Sequence, residues 1–393
     1  MASPLPHRIA GCLLAGALAL AAAPAQADDG ITRDEILLGG SNAASGPVAS
    51  VCYAVTHGQQ AHFKRINAAG GIHGRKIRYE VLDDAYSAQR AIGNARRLMQ
   101  QDKVFALFGG CGTVTAAGLL SATERSDIPY LFPYAGLDQL TKPTRPNVFA
   151  LMPLYSEQTS AIVPYAVRKA QAKTAVMFST NIAGHEGWRQ AARDELAAAK
   201  VELLLDGVME VTSPDRAAFA VQAKDKNPDL LLVMDTAPNA ARLLIELQRQ
   251  NWKPKAISGY STLTDEVFLR AAAANAEGIL VGAGVVLPPT APQSKACVDE
   301  LAAYDKSIAA SHFSMYGCLS AMVLVEALQR AGPDLTRARL VATLEAMKDF
   351  ETGISGKVSF APGQHMGLRE VLPFGIENGA YKVLGPALPT ARR

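Results

Sequence analysis

Hydrophobic and polar positions alternate along this chain in a repeating order. A short apolar run, 35–41, ends in glycine, and a stretch of helical periodicity follows over 51–69. Gly70 and Gly71 stop that helix at a left-handed cap, Gly74 turns the chain, and 76–82 alternates apolar and polar as a strand does. Ala91, Ile92, Ala95, Leu98 and Met99 then share one helical face, ahead of an apolar run at 103–110. A helix over 113–125 and a strand over 128–134 extend the series. After Ala150 the alternation restarts, with strands expected at 174–179, 201–205, 229–234, 256–258 and 278–286. Helices are expected between them at 187–199, from Ser213-Pro214 onward, and at 238–250. Three more helices, near 294–310, 314–331 and 336–348, precede short strands from about 356. Such alternation predicts an α/β protein with parallel sheets flanked by helices, and its two runs predict two sheets.

In open α/β sheets, ligands gather at the carboxyl ends of the strands. The segments to inspect are therefore 44–53, 109–115, 133–136, 179–184, 235–238 and 258–261. "GGCGTVT" (109–115) follows a strand and opens a helix, so free amides and the hydroxyls of Thr113 and Thr115 suit a carboxylate. It is not a dinucleotide fingerprint, because Thr115 stands where the third glycine belongs. Asp83 and Asp84 point to opposite faces of a strand end and read as solvated carboxylates rather than a catalytic pair. The histidines are scattered, "GHEGW" is not a zinc motif, and no nucleophile elbow occurs. The expectation is a protein that is not an enzyme and needs no cofactor or metal.

Composition narrows this further. At 393 residues two lobes are the default. With 49% hydrophobic and 19% charged residues the chain has ample core, and a formal charge of +3 gives no reason to expect a nucleic-acid partner. Residues 1–27 read as a signal peptide. His7 and Arg8 precede an apolar core that ends in Ala25-Gln26-Ala27. The mature protein is thus expected in the periplasm, an oxidising compartment. There Cys52, Cys111, Cys297 and Cys318 form an even set with three possible pairings. Cys52 with Cys111 and Cys297 with Cys318 is the favoured pairing, since each would join elements that the topology makes neighbours. Four buried free thiols are the alternative.

Four segments together carry a likeness to a known family. "INAAGGIHGRKI", "LDDAYSAQRAIGNARRLMQQDKV", "RPNVF" and "LLLVMDTAPNAARLLIELQRQ" resemble the leucine/isoleucine/valine-binding protein family, the periplasmic solute receptors of ABC importers. The resemblance implies the type I periplasmic binding fold: two Rossmann-like lobes joined by a three-crossing hinge. It places 28–149 plus 283–355 in lobe 1 and 150–282 plus 356–393 in lobe 2, with a small-molecule ligand captured between them. It also implies a monomer that docks on an inner-membrane ABC permease. Its carboxylate-binding loops fall here at Gly112-Thr113 and Ala135-Gly136, and its lobe-two aromatic positions at Ala183 and Thr236. Where the family's amino-acid binders hold the ligand ammonium with acids, this chain has Tyr155 and Tyr260. Asp235 is the obvious substitute for the missing charge and Glu157 a second. Tyr53, Tyr134, Tyr155 and Tyr260 would line the cleft with aromatic faces, so an aromatic or other organic acid competes with a branched-chain amino acid. Two other classes are weighed: a ligand-sensing partner of a membrane receptor, and an exported α/β oxidoreductase.

Overall fold

The computed structural model describes residues 1–2, 28–182, 184–213 and 215–390. The expected signal peptide therefore lies almost wholly outside the described residues, as do Ala183 and Pro214.

The opening crossover shows how local sequence builds the fold. Strand β1 (Glu35–Asn42) feeds helix α1 (Ala49–Ala68), which ends where the Gly70 and Gly71 amides return to the carbonyls of Asn67 and Ile66. Gly71 has φ +77°, and a Cβ there would lie 2.0 Å from the Arg75 carbonyl oxygen, so only glycine fits this turn. Strand β2 (Lys76–Asp83) follows, and the Asn67 side chain clamps it by bonding both the N–H and the C=O of Ile77 at 2.8 Å. Helix α2 (Ala88–Gln100), β3 (Ala106–Phe108), α3 (Thr113–Thr123), β4 (Tyr130–Leu131) and β5 (Val148–Phe149) complete a five-stranded parallel sheet of order β2-β1-β3-β4-β5.

The second sheet has eight strands. Helix α4 (Tyr155–Ala170) leads into β6 (Thr174–Thr180), α5 (His185–Ala198), β7 (Glu202–Met209), α6 (Ala217–Lys226) and β8 (Leu230–Met234). Helix α7 (Ala237–Arg249), β9 (Ala256–Gly259), α8 (Glu266–Ala276) and β10 (Leu280–Gly284) follow. Three helices, α9 (Lys295–Tyr304), α10 (His312–Ala331) and α11 (Arg337–Glu345), return to the first unit, where α9 and α10 pack on α1. The chain crosses once more to add β11 (Glu370–Glu377), β12 (Ala380–Val383) and β13 (Leu388–Pro389) as an antiparallel edge. The first and last of the three crossings run side by side, tied by bonds from Gly367 and Leu368 to the carbonyls of Ala150 and Leu151. The fold is thus two helix-flanked, parallel-rich sheets joined by three crossings, as the alternation and the resemblance both predict.

Several elements differ from expectation for local reasons. The strand expected at 128–134 shrinks to two residues because Phe132, at φ +55°, turns the chain. The one at 103–110 shortens because Lys103, Gly109 and Gly110 all have positive φ. Helix α6 starts at Ala217 rather than at Ser213-Pro214, with the Asp215 carboxylate accepting the Ala217 amide at 2.9 Å. Helix α9 ends at Tyr304 and not near 310, where Asp305 accepts the Ser307 amide in a turn. The final strands begin at Glu370, not 356. Two disulfides, Cys52–Cys111 and Cys297–Cys318, join α1 to the loop before α3 and α9 to α10, the pairing favoured from the sequence. In the chain-entropy picture each contributes about 3 to 4 kcal/mol against unfolding.

Candidate functional site

The carboxyl ends of β1 to β4 in the first sheet face those of β6, β8 and β9 in the second, and a cavity of about 60 Å³ lies between them. Gly112, Thr113, Tyr134, Tyr155, Thr236 and Tyr260 line it, six of the ten residues expected there. That volume holds a few waters, far below the roughly 300 Å³ or more of ordinary ligand pockets.

The other four lie elsewhere. Tyr53 is 46% exposed on α1, its ring tilted against that of His57 with centroids 3.7 Å apart, and it lines a neighbouring cavity instead. Ala135 packs into the core beside Leu137 and Leu140, because the turn at Phe132 leaves Tyr134 rather than Ala135 facing the cavity. Gly136 lies under Tyr155, whose amide donates to its carbonyl at 2.6 Å. Asp235 is wholly buried and already paired: Arg216, also buried, donates to its Oδ2 from Nε at 2.8 Å and Nη2 at 2.7 Å. Burial pushes the Asp235 carboxyl up while Arg216 pulls it back. Glu157 is spent on the Leu154 amide and on Lys142, so neither acid substitutes for a ligand counter-charge.

What remains on the cavity wall is aromatic and uncharged. The rings of Tyr155 and Tyr260 meet edge to face, centroids 5.0 Å apart, and His185 packs edge-on to both at 6.2 Å. Tyr155 Oη lies 3.2 Å from Thr113 Oγ1, and Tyr260 Oη donates to the Asp235 carbonyl at 3.0 Å. Burial raises the Tyr155, Tyr260 and Tyr134 phenols, so all three remain neutral donors. Tyr134 Oη is buried without a hydrogen-bond partner. Burial likewise lowers His185 to about 4, leaving a neutral imidazole. Its Nδ1 lies 2.8 Å from the Thr180 hydroxyl and 3.1 Å from the Thr180 carbonyl, which anchors the ring at the end of β6.

Tyr86, His185, Thr262 and Phe313 are lining residues that sequence reasoning missed, and Tyr86 explains the two aspartates. Ala85 and Tyr86 both adopt left-handed backbone, at φ +49° and +61°. Asp83 Oδ1 accepts the Ala85 amide at 2.9 Å and Asp84 Oδ1 the Tyr86 amide at 2.8 Å, holding this unfavourable turn in place. Asp84 is not solvated as expected. It is fully buried and also accepts from Ser41 Oγ at 2.7 Å and Thr115 Oγ1 at 2.9 Å, knitting β1, α3 and the turn together. The turn lays the Tyr86 ring over Gly112, where a Cβ would approach it to 2.5 Å; at φ +95° this position favours glycine twice over. Burial raises the Tyr86 phenol, and the amides of Val114 and Thr113 at the start of α3 act against that rise. An Asp-Asp pair before a short polar loop is a turn signal, and it was legible as one.

Comparison with known proteins follows this geometry. A sequence model described as periplasmic binding protein matches residues 35–380. The "Leu/Ile/Val-binding protein homolog 7" of Brucella abortus (strain 2308) is 27% identical over 267 residues, 64% of this chain and 63% of that protein, so the match spans under two thirds of the relative's length. Among solved structures, the branched-chain amino acid transporter substrate binding protein LivJ of Streptococcus pneumoniae, in complex with isoleucine, superposes with a TM-score of 0.79. It is 24% identical, with 90% of this chain and all (100%) of that one covered. A solute binding protein of an ABC transporter from R. palustris, in complex with benzoate, also gives 0.79, at 21% identity over 90% of this chain and 97% of that one.

Proposed function

Because the chain belongs to the periplasmic binding protein family, we propose that it is the solute receptor of an ABC importer and that its ligand is a small carboxylate lacking an α-ammonium group. The observation that carries the ligand class is the charge of the cavity wall. Among the described residues no aspartate, glutamate, lysine or arginine lines it, and Tyr155 and Tyr260 stand where the resemblance puts acids. An ammonium brought into that space would be buried without a counter-charge, at a cost of several kcal/mol. A carboxylate meets neutral donors instead: the Thr113 hydroxyl, the amides that open α3, and the unpartnered Tyr134 phenol. The phenol and imidazole faces then select a flat or apolar body.

Capture proceeds in this reading by hinge movement. Lobe 1 (28–149 plus 283–355) and lobe 2 (150–282 plus 356–393) part to admit the solute and close on it, and the closed monomer docks on an inner-membrane permease. Mass spectrometry of whatever co-purifies with the protein tests the class directly, and a thermal-shift panel follows. Benzoate- or cinnamate-like acids at about 100 times their dissociation constant should add roughly 2.7 kcal/mol of stability, while leucine adds none. Equal stabilisation by leucine would overturn the ligand class and leave the receptor role standing.

A further inference from the structure

A second cavity, of about 430 Å³, adjoins the first and shares Ser50, Val51 and Phe313 with it. Its opposite wall is the start of α8, Asp265 and Glu266. Asp265 is 3% exposed. Its Oδ1 accepts the Val267 amide at 2.8 Å, which is all that a helix cap requires, yet its buried Oδ2 has no partner. Glu266 beside it accepts the His312 amide, at 3.2 and 3.1 Å from its two oxygens. Among the described residues no lysine, arginine or histidine makes an ion pair with either carboxylate, and Arg270 acts on both only through space. His312 brings no charge, since burial holds its imidazole down to about 3. Burial outweighs the pull of Arg270, which lines the same cavity, so Asp265 is pushed up to about 6 and the part-buried Glu266 up to about 7.

These groups connect to the first cavity. Asp265 acts through space on the Tyr134 phenol, which packs edge-on to Phe313 at 5.2 Å and itself lacks a partner. Unsatisfied polar atoms thus continue from one cavity into the next around Phe313. A cap alone would not need a second, part-buried carboxylate beside it, nor a roomy cavity against it. Among the described residues the one cation lining this cavity is the exposed Arg270, which pairs with neither acid and leaves two carboxylates against a single positive charge.

Resting on the reading that a carboxylate lies at the Thr113 end, we propose that the second cavity is the far subsite of the same cleft and takes a cationic group, with Asp265 Oδ2 as its acceptor and Glu266 as the neighbouring charge. The ligand class this defines is a carboxylate whose ammonium or guanidinium lies several bonds away, beyond the aromatic chamber, rather than on its α-carbon.

The test uses two probes of nearly equal shape, 4-(aminomethyl)benzoate and 4-ethylbenzoate, titrated by calorimetry into the full mature protein and its Asp265→Asn and Glu266→Gln variants. Asparagine caps a helix as well as aspartate, so the first variant keeps its fold. The cationic probe should bind the wild type about tenfold more tightly than its partner, and Asp265→Asn should abolish that preference while the affinity for 4-ethylbenzoate is unchanged. Tighter or equal binding of 4-ethylbenzoate, or a preference that survives both variants, overturns the far subsite and leaves the carboxylate receptor intact. If neither probe binds while leucine does, the carboxylate reading of the inner chamber falls together with the proposal. If none of the three binds, the proposal falls in this form, and the co-purified solute decides the other.

Discussion

Buried carboxylates occur in two states in this molecule. Asp84 and Asp235 are fully engaged, one by the donors from Ser41, Thr115 and Tyr86, the other by the Arg216 guanidinium and the Thr236 amide at 2.7 Å. Asp265 is equally buried but half engaged, and Glu266 rests on an amide alone. The engaged pair holds the frame around the cleft, Asp84 fixing the turn of Tyr86 and Asp235 the loop of Arg216. The half-engaged pair belongs to a corner where two carboxylates share one exposed arginine, Arg270, that pairs with neither. The lesson is that the burial of an acid says little about its role until its partners are counted.

The largest test of that contrast is removal of a framing acid. Asp235→Ala leaves the Arg216 charge buried and unpaired, and should cost about 3–5 kcal/mol in urea denaturation. Asp265→Asn, which keeps the cap, should change stability by no more than about 0.5 kcal/mol. Equal costs for the two would erase the distinction between them.

The pH dependence of stability gives a smaller effect with a definite sign. Asp265 and Glu266 have folded-state pKa values above their ordinary ones, so the native state holds those protons more tightly than the unfolded chain does. Their contribution is therefore most favourable below about pH 4 and is lost as pH rises through about 6 and 7. Asp229 works in the opposite direction, held down to about 2 mainly by Lys255, with its window below the other two. His185 and His312, held down by burial to about 4 and about 3, also work in the opposite direction, and their contribution grows as pH rises toward about 6.5. The histidines oppose the acids over one interval, so the test is a difference: between pH 5 and 7.5 the ligand-free wild type should lose stability relative to Glu266→Gln on the order of 1–3 kcal/mol. Melting temperatures at the two pH values check it. Parallel curves for the wild type and Glu266→Gln across this interval would show the corner solvated in solution.

Much of the frame was legible in the chain, and the reasons are local. The Ile66 to Ile77 block encodes its own turn, because the Asn67 clamp and the Gly71 cap are decided by residues within a dozen positions. Helix α4 went unread because Pro164 interrupts its pattern, although the helix accommodates that residue. The cleft was less legible. Tyr260 was reached from a strand end and from the resemblance, Tyr155 from the resemblance alone, since it opens a helix. Ala135 was displaced by the left-handed turn at Phe132, and Tyr53 lies on α1 against the second cavity instead of the first. Asp235 was misread because its partner Arg216 comes from a separate loop, and nothing in the local sequence announces that pairing. The unpaired Oδ2 of Asp265 depends on how α8 meets the loop before α10, which no periodicity encodes.

The smallest effect separates two threonines two positions apart on α3. Thr115 Oγ1 is committed to Asp84, whereas Thr113 Oγ1 faces the cavity and meets only the hydroxyl of Tyr155 across it. Valine preserves the shape of threonine at both sites and deletes only the hydroxyl. At Thr115 the loss leaves a buried carboxylate short of a donor, so stability should fall by about 1–3 kcal/mol while affinity for a benzoate-like acid holds. At Thr113 the hydroxyl is a ligand donor, and its loss should weaken binding about fivefold, or about 1 kcal/mol, with a smaller effect on unfolding. Calorimetry and urea titration on the two variants read both axes. Unchanged affinity in Thr113→Val would remove that residue from the site. A Thr115→Val variant that lost affinity without losing stability would mean that Asp84 serves the ligand rather than the frame, and the division between the two kinds of buried acid would have to be redrawn.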